Sequence, residues 1–392
     1  MVAETAKKFE ALEAQAQKIM SVFIKAGHEA VAPAIIQPAG VFLDVIGETL
    51  RARTYVFTDP DGEELCLRPD ITVPTCRLHI ERHANPMTRA KYCYNGSAFR
   101  FQPAGAPVAH PREFRQAGIE AFGITDKAKA EAQTVVTVID ALKAAGLKDF
   151  KLHVGDLGLF RALLEAADMP VRWRRRLMHQ FWRPDAFRTE LKRLTTAAID
   201  VPRDVPKELL TKLDPERPDD GEKQVAAYLE SRGIDMLGTR TLGEITENLL
   251  SIVADAKTQP LSAATAELLE SYVRVVAPAR AAGARLRDLL RGGNIDITEA
   301  FDAYQRRLQL LADAGVDVTH ADFEAEFGRT LEYYTGFVFE VVVPDLGRQS
   351  PVAGGGRYDT LMRQCGSEED VPAVGAAIHT ERLLAALTGD VR

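Results

Sequence analysis

Residues 4–26 carry Phe9, Leu12, Ala16, Ile19 and Phe23 at three- and four-residue spacing, which predicts an amphipathic helix ended by Gly27. Two short runs, Thr54–Thr58 and Glu64–Leu67, flank the turn signal Asp59-Pro60-Asp61-Gly62 and predict a hairpin. Residues 91–101 and 112–123 predict two more strands, joined by a loop rich in Pro, Ala and Gly. Thr125 or Asp126 caps a helix with Ala128, Ala132, Val135, Ile139 and Leu142 on one stripe. A strand over Lys151–Val154 then leads through Gly155 and Gly158 into another helix. That Gly-x-x-Gly lacks the spacing of a dinucleotide fingerprint and reads as a tight strand-to-helix turn.

The pattern changes at about residue 166. Strand alternation gives way to helical stripes, at Val225, Tyr228 and Leu229 and at Ile245, Leu249, Ile252 and Val253. Longer helices are expected over 261–291 and 298–313. Residues 201–222 are rich in proline and charge, an exposed connection. Strands return at 318–327, where Ala321, Phe323, Ala325 and Phe327 alternate with polar residues, and at 337–343. A final helix is expected over about 374–387. The periodicities therefore predict a mixed core, 1–165 and 317–392, interrupted by a mainly helical insertion at 166–316.

Composition narrows the function classes. The chain has 392 residues, 46% hydrophobic and 27% charged, enough for a buried core and more than one domain. No apolar run approaches the ~18 residues of a membrane span. The net charge of −7 argues against a nucleic-acid footprint. Cys66, Cys76, Cys93 and Cys365 form no C-x-x-C, so neither a disulfide framework nor a zinc knuckle is suggested. The N-terminus lacks an apolar signal region. A reducing cytoplasm is expected.

Several residues are candidates for chemistry. On a strand, Gln116, Gly118 and Glu120 share one face, with the amide and carboxylate roughly 13 Å apart. That face is either a floor for a small polar ligand or a solvated surface, and the pattern alone favours the second. The glycines of 353–359 permit close approach of a ligand, or simply turn the chain. His79 and His83 stand at i and i+4 but do not form H-E-x-x-H, so exposed helix histidines are favoured over a metal pair. Arg172, Arg174, Arg175 and Arg176 cluster beside Trp173 and Trp182, a phosphate-contacting patch or, more often, a solvated or protein-contact face.

Five segments, in order, resemble the catalytic core of class II aminoacyl-tRNA synthetases, most closely histidyl-tRNA synthetase. Leu67-Arg68-Pro69-Asp70-Ile71-Thr72 is similar to the family's Leu-Arg-Pro-Glu-Gly-Thr. Phe99-Arg100, with 112–120, resembles motif 2. Arg329-Thr330-Leu331-Glu332-Tyr333-Tyr334 resembles the histidine-specific Arg-Gly-Leu-Asp-Tyr-Tyr. Gly355-Gly356-Arg357-Tyr358-Asp359 matches Gly-Gly-Arg-Tyr-Asp, and Val374 to Leu383 resembles motif 3. The resemblance implies an α+β fold, a six- or seven-stranded antiparallel sheet flanked by helices with the helical insertion. It implies a histidine pocket in which Asp70, Thr72 and Gln116 meet the α-amino group, Arg329 the carboxylate, and Glu120 with Tyr334 the imidazole. Arg100 and Tyr333 belong to the same set. These pairings are chemically apt, carboxylate for ammonium and guanidinium for carboxylate.

The departures point away from a working synthetase. Motif 2 reads Phe99-Arg100-Phe101-Gln102-Pro103, so the family's Glu and second Arg are missing. In motif 3 the glycine that admits the nucleotide base is His379, whose ring should obstruct it. An anticodon-binding domain is not expected in the nine residues after Leu383. A synthetase-like fold with a histidine pocket but no ATP or tRNA machinery resembles the regulatory-subunit family of ATP phosphoribosyltransferase. That resemblance implies a non-catalytic homodimer, without metal or cofactor, that partners a short catalytic subunit, supports its activity and carries feedback inhibition by L-histidine. No contact with nucleic acid or membrane is expected. The alternatives are a truncated synthetase-like enzyme that activates an amino acid, which retained Arg100, Arg329 and Arg382 favour, and a histidine-sensing module for another partner.

Overall fold

The structure is a computed structural model that describes residues 5–43, 51–103, 110–181, 183–196, 205–234, 241–293, 295–327 and 333–389. Two compact units emerge, one made of residues 1–166 and 271–392, the other of 167–270.

Among the described residues the first unit holds twelve strands: β1 (Glu29–Ala30), β2 (Ile36–Pro38), β3 (Tyr55–Thr58), β4 (Glu64–Leu67), β5 (Ala90–Phe99), β6 (Glu113–Phe122), β7 (Lys151–Asp156), β8 (Val276–Pro278), β9 (Asp322–Glu324), β10 (Phe337–Val342), β11 (Ala353–Arg357) and β12 (Ala373–His379). The large sheet runs β1-β5-β6-β12-β11-β10-β7-β9-β8. Its six long central strands are antiparallel, and the short β1 and β9 join β5 and β7 in parallel. The sheet is thus wider than the expected six or seven strands, because short strands extend both edges. The hairpin expected around Asp59–Gly62 is β3–β4, which with β2 makes a separate three-stranded sheet.

One face of the large sheet is covered by helices Ala6–Lys25, Lys127–Ala145 and Thr380–Thr388. Leu12, Ala16, Ile19 and Phe23 are buried as their spacing requires, but Phe9 is half exposed beneath the Arg115 guanidinium. Asp126 is the cap of the Lys127–Ala145 helix, accepting from the Lys129 amide at 3.2 Å. Ala128, Ala132, Val135, Ile139 and Leu142 are all buried.

The insertion ends earlier than the periodicity suggests. Residues 261–291 are not one helical run: Ala263–Val273 and Ala279–Gly293 are separated by β8, which pairs with β9. The Thr298–Asp313 helix packs on Lys127–Ala145, where buried Arg307 bonds Glu131 at 2.5 Å and Asp156 at 2.6 Å. Arg357 bonds the other Glu131 oxygen. Residues 271–316 therefore belong to the core unit, through strand pairing and a buried charge network that helical periodicity does not encode. Two further differences are local. Only Asp322–Glu324 of the 318–327 run is a strand, and residues 373–379 are β12 rather than the start of the last helix, which is Thr380–Thr388.

The second unit is built from helices. Leu209, Leu213, Val225, Leu249, Leu250 and Val253 form an apolar cluster. Arg172 (2.6 Å), Arg176 and Arg193 (3.2 Å) converge on buried Asp255, which also accepts from the Trp173 indole at 2.6 Å.

Candidate functional site

Strand β6 sets the site. Its register places Gln116, Gly118 and Glu120 opposite Gly96, Tyr94 and Tyr92 of β5, and opposite His379, Ala377 and Gly375 of β12. The polar face of β6 is not solvated, contrary to what alternation alone favours. Gln116 is 4% exposed and Glu120 fully buried, because the Thr72–Arg82 helix covers this face. Glycines create the space. A Cβ at Gly118 would lie 2.5 Å from the Tyr94 ring, and one at Gly375 only 1.6 Å from Glu120 Oε2.

Glu120 accepts from three neutral hydroxyls: Thr72 Oγ1 at 2.8 Å and Tyr94 Oη at 2.9 Å on Oε1, and Tyr358 Oη on Oε2. Burial nevertheless pushes its carboxyl up to about 8, with the hydroxyls only partly opposing and the Asp70 charge adding to the rise. Asp70 is also buried and shifted upward, chiefly by burial, while its bond from the Val73 amide and the Arg100 and Arg68 charges oppose. Its Oδ1 takes the Val73 amide at 3.1 Å at the start of the helix. Its Oδ2, and the Oε1 of Gln116, are buried acceptors without a donor among the described residues.

Of the expected set, the structure gathers Asp70, Thr72, Gln116 and Glu120 on one wall. Thr72 spends its hydroxyl on Glu120 instead of facing outward. Arg100 is held by the Pro69 carbonyl at 2.8 Å and lies over the Phe114 ring. Tyr333 and Tyr334 are buried 4.9 Å apart (ring centroids) and pack against Tyr358. The tyrosine hydroxyls that Glu120 accepts from are those of Tyr94 and Tyr358. Arg329 lies outside the described residues. Tyr358 sits inside a segment that carries the family resemblance, so a signal for it existed. Tyr94 becomes visible only once β5 and β6 are in register.

A cavity of about 420 Å³ lies beside this wall, lined by Arg53, Arg100, Gln102, His110, Phe114, His379, Arg382 and others. His379 stands on its wall with its ring 5.5 Å from Phe114. Burial first, then Arg382, Arg53 and Arg100, hold the His110 imidazole below its ordinary value.

Two sequence candidates turn out to be structural. His79 is fully buried, donates its Nε2–H to the Pro86 carbonyl (2.9 Å) and packs against the Phe122 ring, while His83 meets the Tyr92 hydroxyl at 3.0 Å. They are not exposed helix histidines, and no metal-ligating cluster occurs among the described residues. Two of the clustered arginines, Arg172 and Arg176, spend themselves on Asp255 and Arg174 donates to the Ala167 carbonyl, leaving Arg175 exposed; Trp182 is outside the described residues.

An antiparallel sheet with a buried acidic wall and a basic cavity beside it defines a class II synthetase-like protein. The histidyl-tRNA synthetase family model matches residues 4–237 and 246–383. Solved structures agree on the fold. A protein titled ATP phosphoribosyltransferase regulatory subunit/histidyl-tRNA synthetase from Bacillus halodurans superposes with a TM-score of 0.67 at 20% identity, covering 99% of this chain and 81% of that one. A histidine–tRNA ligase subunit from Alicyclobacillus acidocaldarius gives 0.60 at 22%, covering 100% and 97%. Among curated proteins, the ATP phosphoribosyltransferase regulatory subunit of Brucella anthropi is 33% identical over 351 residues, 89% of this chain and 90% of the relative. That of a Chelativorans species is 34% identical over 354 residues, 89% and 91%. The chain belongs to this histidyl-tRNA synthetase-like family, as one of its ATP phosphoribosyltransferase regulatory subunits.

Proposed function

We propose that the Glu120 wall binds L-histidine and that this regulatory subunit transmits the binding to a catalytic ATP phosphoribosyltransferase subunit. The observation that carries the reading is the pair of buried acceptors without donors among the described residues, Asp70 Oδ2 and Gln116 Oε1. Such groups cost about 1–3 kcal/mol each when left unmade. An ammonium group supplies donors to both. Glu120 and its hydroxyl partners then offer a hydrogen-bonding wall for an imidazole, whose two nitrogens require one donor and one acceptor. Tyr334 and Arg329 complete the site in this reading, with Arg329 pairing the carboxylate.

The core pairs with a second copy, the assembly works in the cytoplasm, and histidine feeds back by binding the inhibited state of the complex better than the active one. Among the described residues no helix is long and apolar enough to cross a membrane.

Calorimetric titration of the purified chain tests the ligand. Saturable L-histidine binding, absent for the methyl ester and for alanine, is expected. Reconstitution with the catalytic subunit tests the rest: histidine inhibits the wild-type complex and fails to inhibit one carrying Glu120→Ala. Equal inhibition of both complexes sinks the assignment. ATP-dependent pyrophosphate exchange in the chain alone would favour an amino-acid-activating enzyme instead.

A further inference from the structure

Tyr358 reaches Glu120, while its two chain neighbours, Arg357 and Asp359, are held toward the Lys127–Ala145 helix behind the sheet. Strand register separates the two sides. Glu120 and Gly375 stand in one cross-strand row; Ala121, Val374 and Arg357 stand in the next, where Ala121 and Val374 pack on Ala130 of that helix. Buried Arg357 divides its guanidinium among three acceptors: Nε bonds Glu131, Nη1 bonds Asp359 Oδ1 at 2.8 Å, and Nη2 bonds the Lys127 carbonyl at 3.1 Å. Asp359 Oδ1 also accepts from the Ala373 amide at 2.9 Å, and its Oδ2 from the Lys127 ammonium at 2.8 Å. The segment after Tyr333 and Tyr334 is stitched to the same residues. The Thr335 amide donates to the Arg357 carbonyl at 2.7 Å, and the Asp359 amide to Thr335 Oγ1 at 3.0 Å. One brace thus anchors both segments that carry the tyrosines packed on one another beside the wall.

We propose that Arg357 and Asp359 are positioning residues of the ligand site: anchored to the Lys127–Ala145 helix, they fix Tyr358 so that its hydroxyl holds Glu120 Oε2, and histidine affinity depends on that hold. The proposal rests on the histidine reading of the Glu120 wall. Thr72 and Tyr94 hold Oε1 and Tyr358 holds Oε2, so both ends of the carboxyl are fixed. The terminal torsion of a glutamate is broad, and its hydrogen-bond partners set it. Without the partner on Oε2 the carboxyl turns away from the orientation an imidazole needs. A lysine at 357 keeps the charge but places one ammonium at one point, and cannot meet three acceptors spread around a planar guanidinium. Asp156 belongs to the same buried network at one remove: it bonds Arg307, which bonds the other oxygen of Glu131. It supports the fold without touching the Tyr358 segment, and so serves as the control.

The test is a double-mutant cycle on the full chain, read by calorimetric titration with L-histidine. Arg357→Lys should weaken binding about fivefold, the size of one ordinary hydrogen bond, and Tyr358→Phe by a similar factor. Together they should cost no more than either alone, because Arg357 acts through the Tyr358 hydroxyl. Asp156→Asn should lower the urea midpoint yet leave the histidine dissociation constant within about twofold. Should Arg357→Lys fail to fold, Asp359→Asn takes its place in the same cycle with the same expectation. Wild-type affinity in the Arg357 variant overturns the proposal. So do factors that multiply in the double variant, or an equal loss in Asp156→Asn, either of which marks the network as support for the fold alone. Crystal structures give a readout without histidine: in the Arg357 or Asp359 variant the Tyr358 hydroxyl should leave hydrogen-bonding distance of Glu120 Oε2, and an unchanged contact overturns the proposal. If the wild type binds no histidine while the contact is lost in the variant, the histidine reading fails and the positioning of Tyr358 stands.

Discussion

Two of the buried carboxylates, Asp255 and Glu120, have surroundings that differ in kind. Asp255, in the helical unit, is surrounded by cations: Arg172, Arg176 and Arg193 meet it together with the Trp173 indole. Burial pushes its carboxyl up, yet the bonds from Arg172, Trp173 and Arg176 outweigh it and hold the group below the ordinary value. Glu120 has neutral hydroxyls for partners, and burial wins, so its carboxyl rises to about 8. The first arrangement is a closed structural clamp with its charge already matched. The second keeps a carboxyl group in a low-dielectric wall where its partners among the described residues are neutral hydroxyls, which suits a group that must respond to a ligand.

The largest effect should come from breaking the clamp. Asp255→Ala leaves three arginines facing one another and should cost about 3–5 kcal/mol of stability, read by urea denaturation. A loss below ~1 kcal/mol would mean that the arginines are adequately solvated without it. The clamp also has the opposite pH sign to Glu120. Its depressed carboxyl contributes stability that is present at neutral pH and lost as pH falls below the ordinary aspartate range.

Glu120→Ala should weaken histidine binding by about 1–3 kcal/mol, since the imidazole is left with an unmet hydrogen bond in a buried wall. Calorimetry reads this directly. Gly375→Ala probes the same carboxylate from behind, because the added methyl falls on Glu120 Oε2 and within 2.7 Å of the Ile119 carbonyl. Overpacking of this kind costs about 1–3 kcal/mol of stability, and histidine affinity should fall with it.

Glu120→Gln separates charge from shape. A carboxyl raised to about 8 in the folded chain stabilises it fully below its unfolded value of 4.5 and progressively less up to about 8. The wild type should therefore lose stability across that window relative to Glu120→Gln, whose amide does not titrate. Parallel stability profiles for the two proteins would show that Glu120 ionises normally. The smallest effect is expected at His379→Gly. Its side chain lies on the neighbouring cavity opposite Gln116, so histidine affinity should be nearly unchanged.

Much of this was legible in the residues. The helix of 6–25 follows from a four-residue apolar stripe that is buried as spaced, and the β3–β4 hairpin from Asp59–Gly62. Asp70, Thr72, Gln116 and Glu120 were nominated through motifs, and they do assemble on one wall. What alternation misjudged was burial. A strand face of Gln, Gly and Glu looks solvated, because the helix that covers it starts at Thr72, 48 positions before Glu120, a separation no local pattern reports. Similarly, Arg172–Arg176 read as a surface run because their counter-charge, Asp255, lies some 80 positions away.

The sequence by itself determined the elements, the order of the family segments and the types of donor and acceptor available, since these depend on local periodicity and residue chemistry. Only the tertiary structure decided which polar groups lost their water. Strand register set Tyr94 over Gly118 and left room at Gly375 for Glu120, and the network of Arg307, Glu131 and Arg357 drew residues 271–316 into the core unit. Desolvation and long-range pairing are properties of neighbours in space, and they turned an ordinary glutamate into a carboxyl poised near neutral pH.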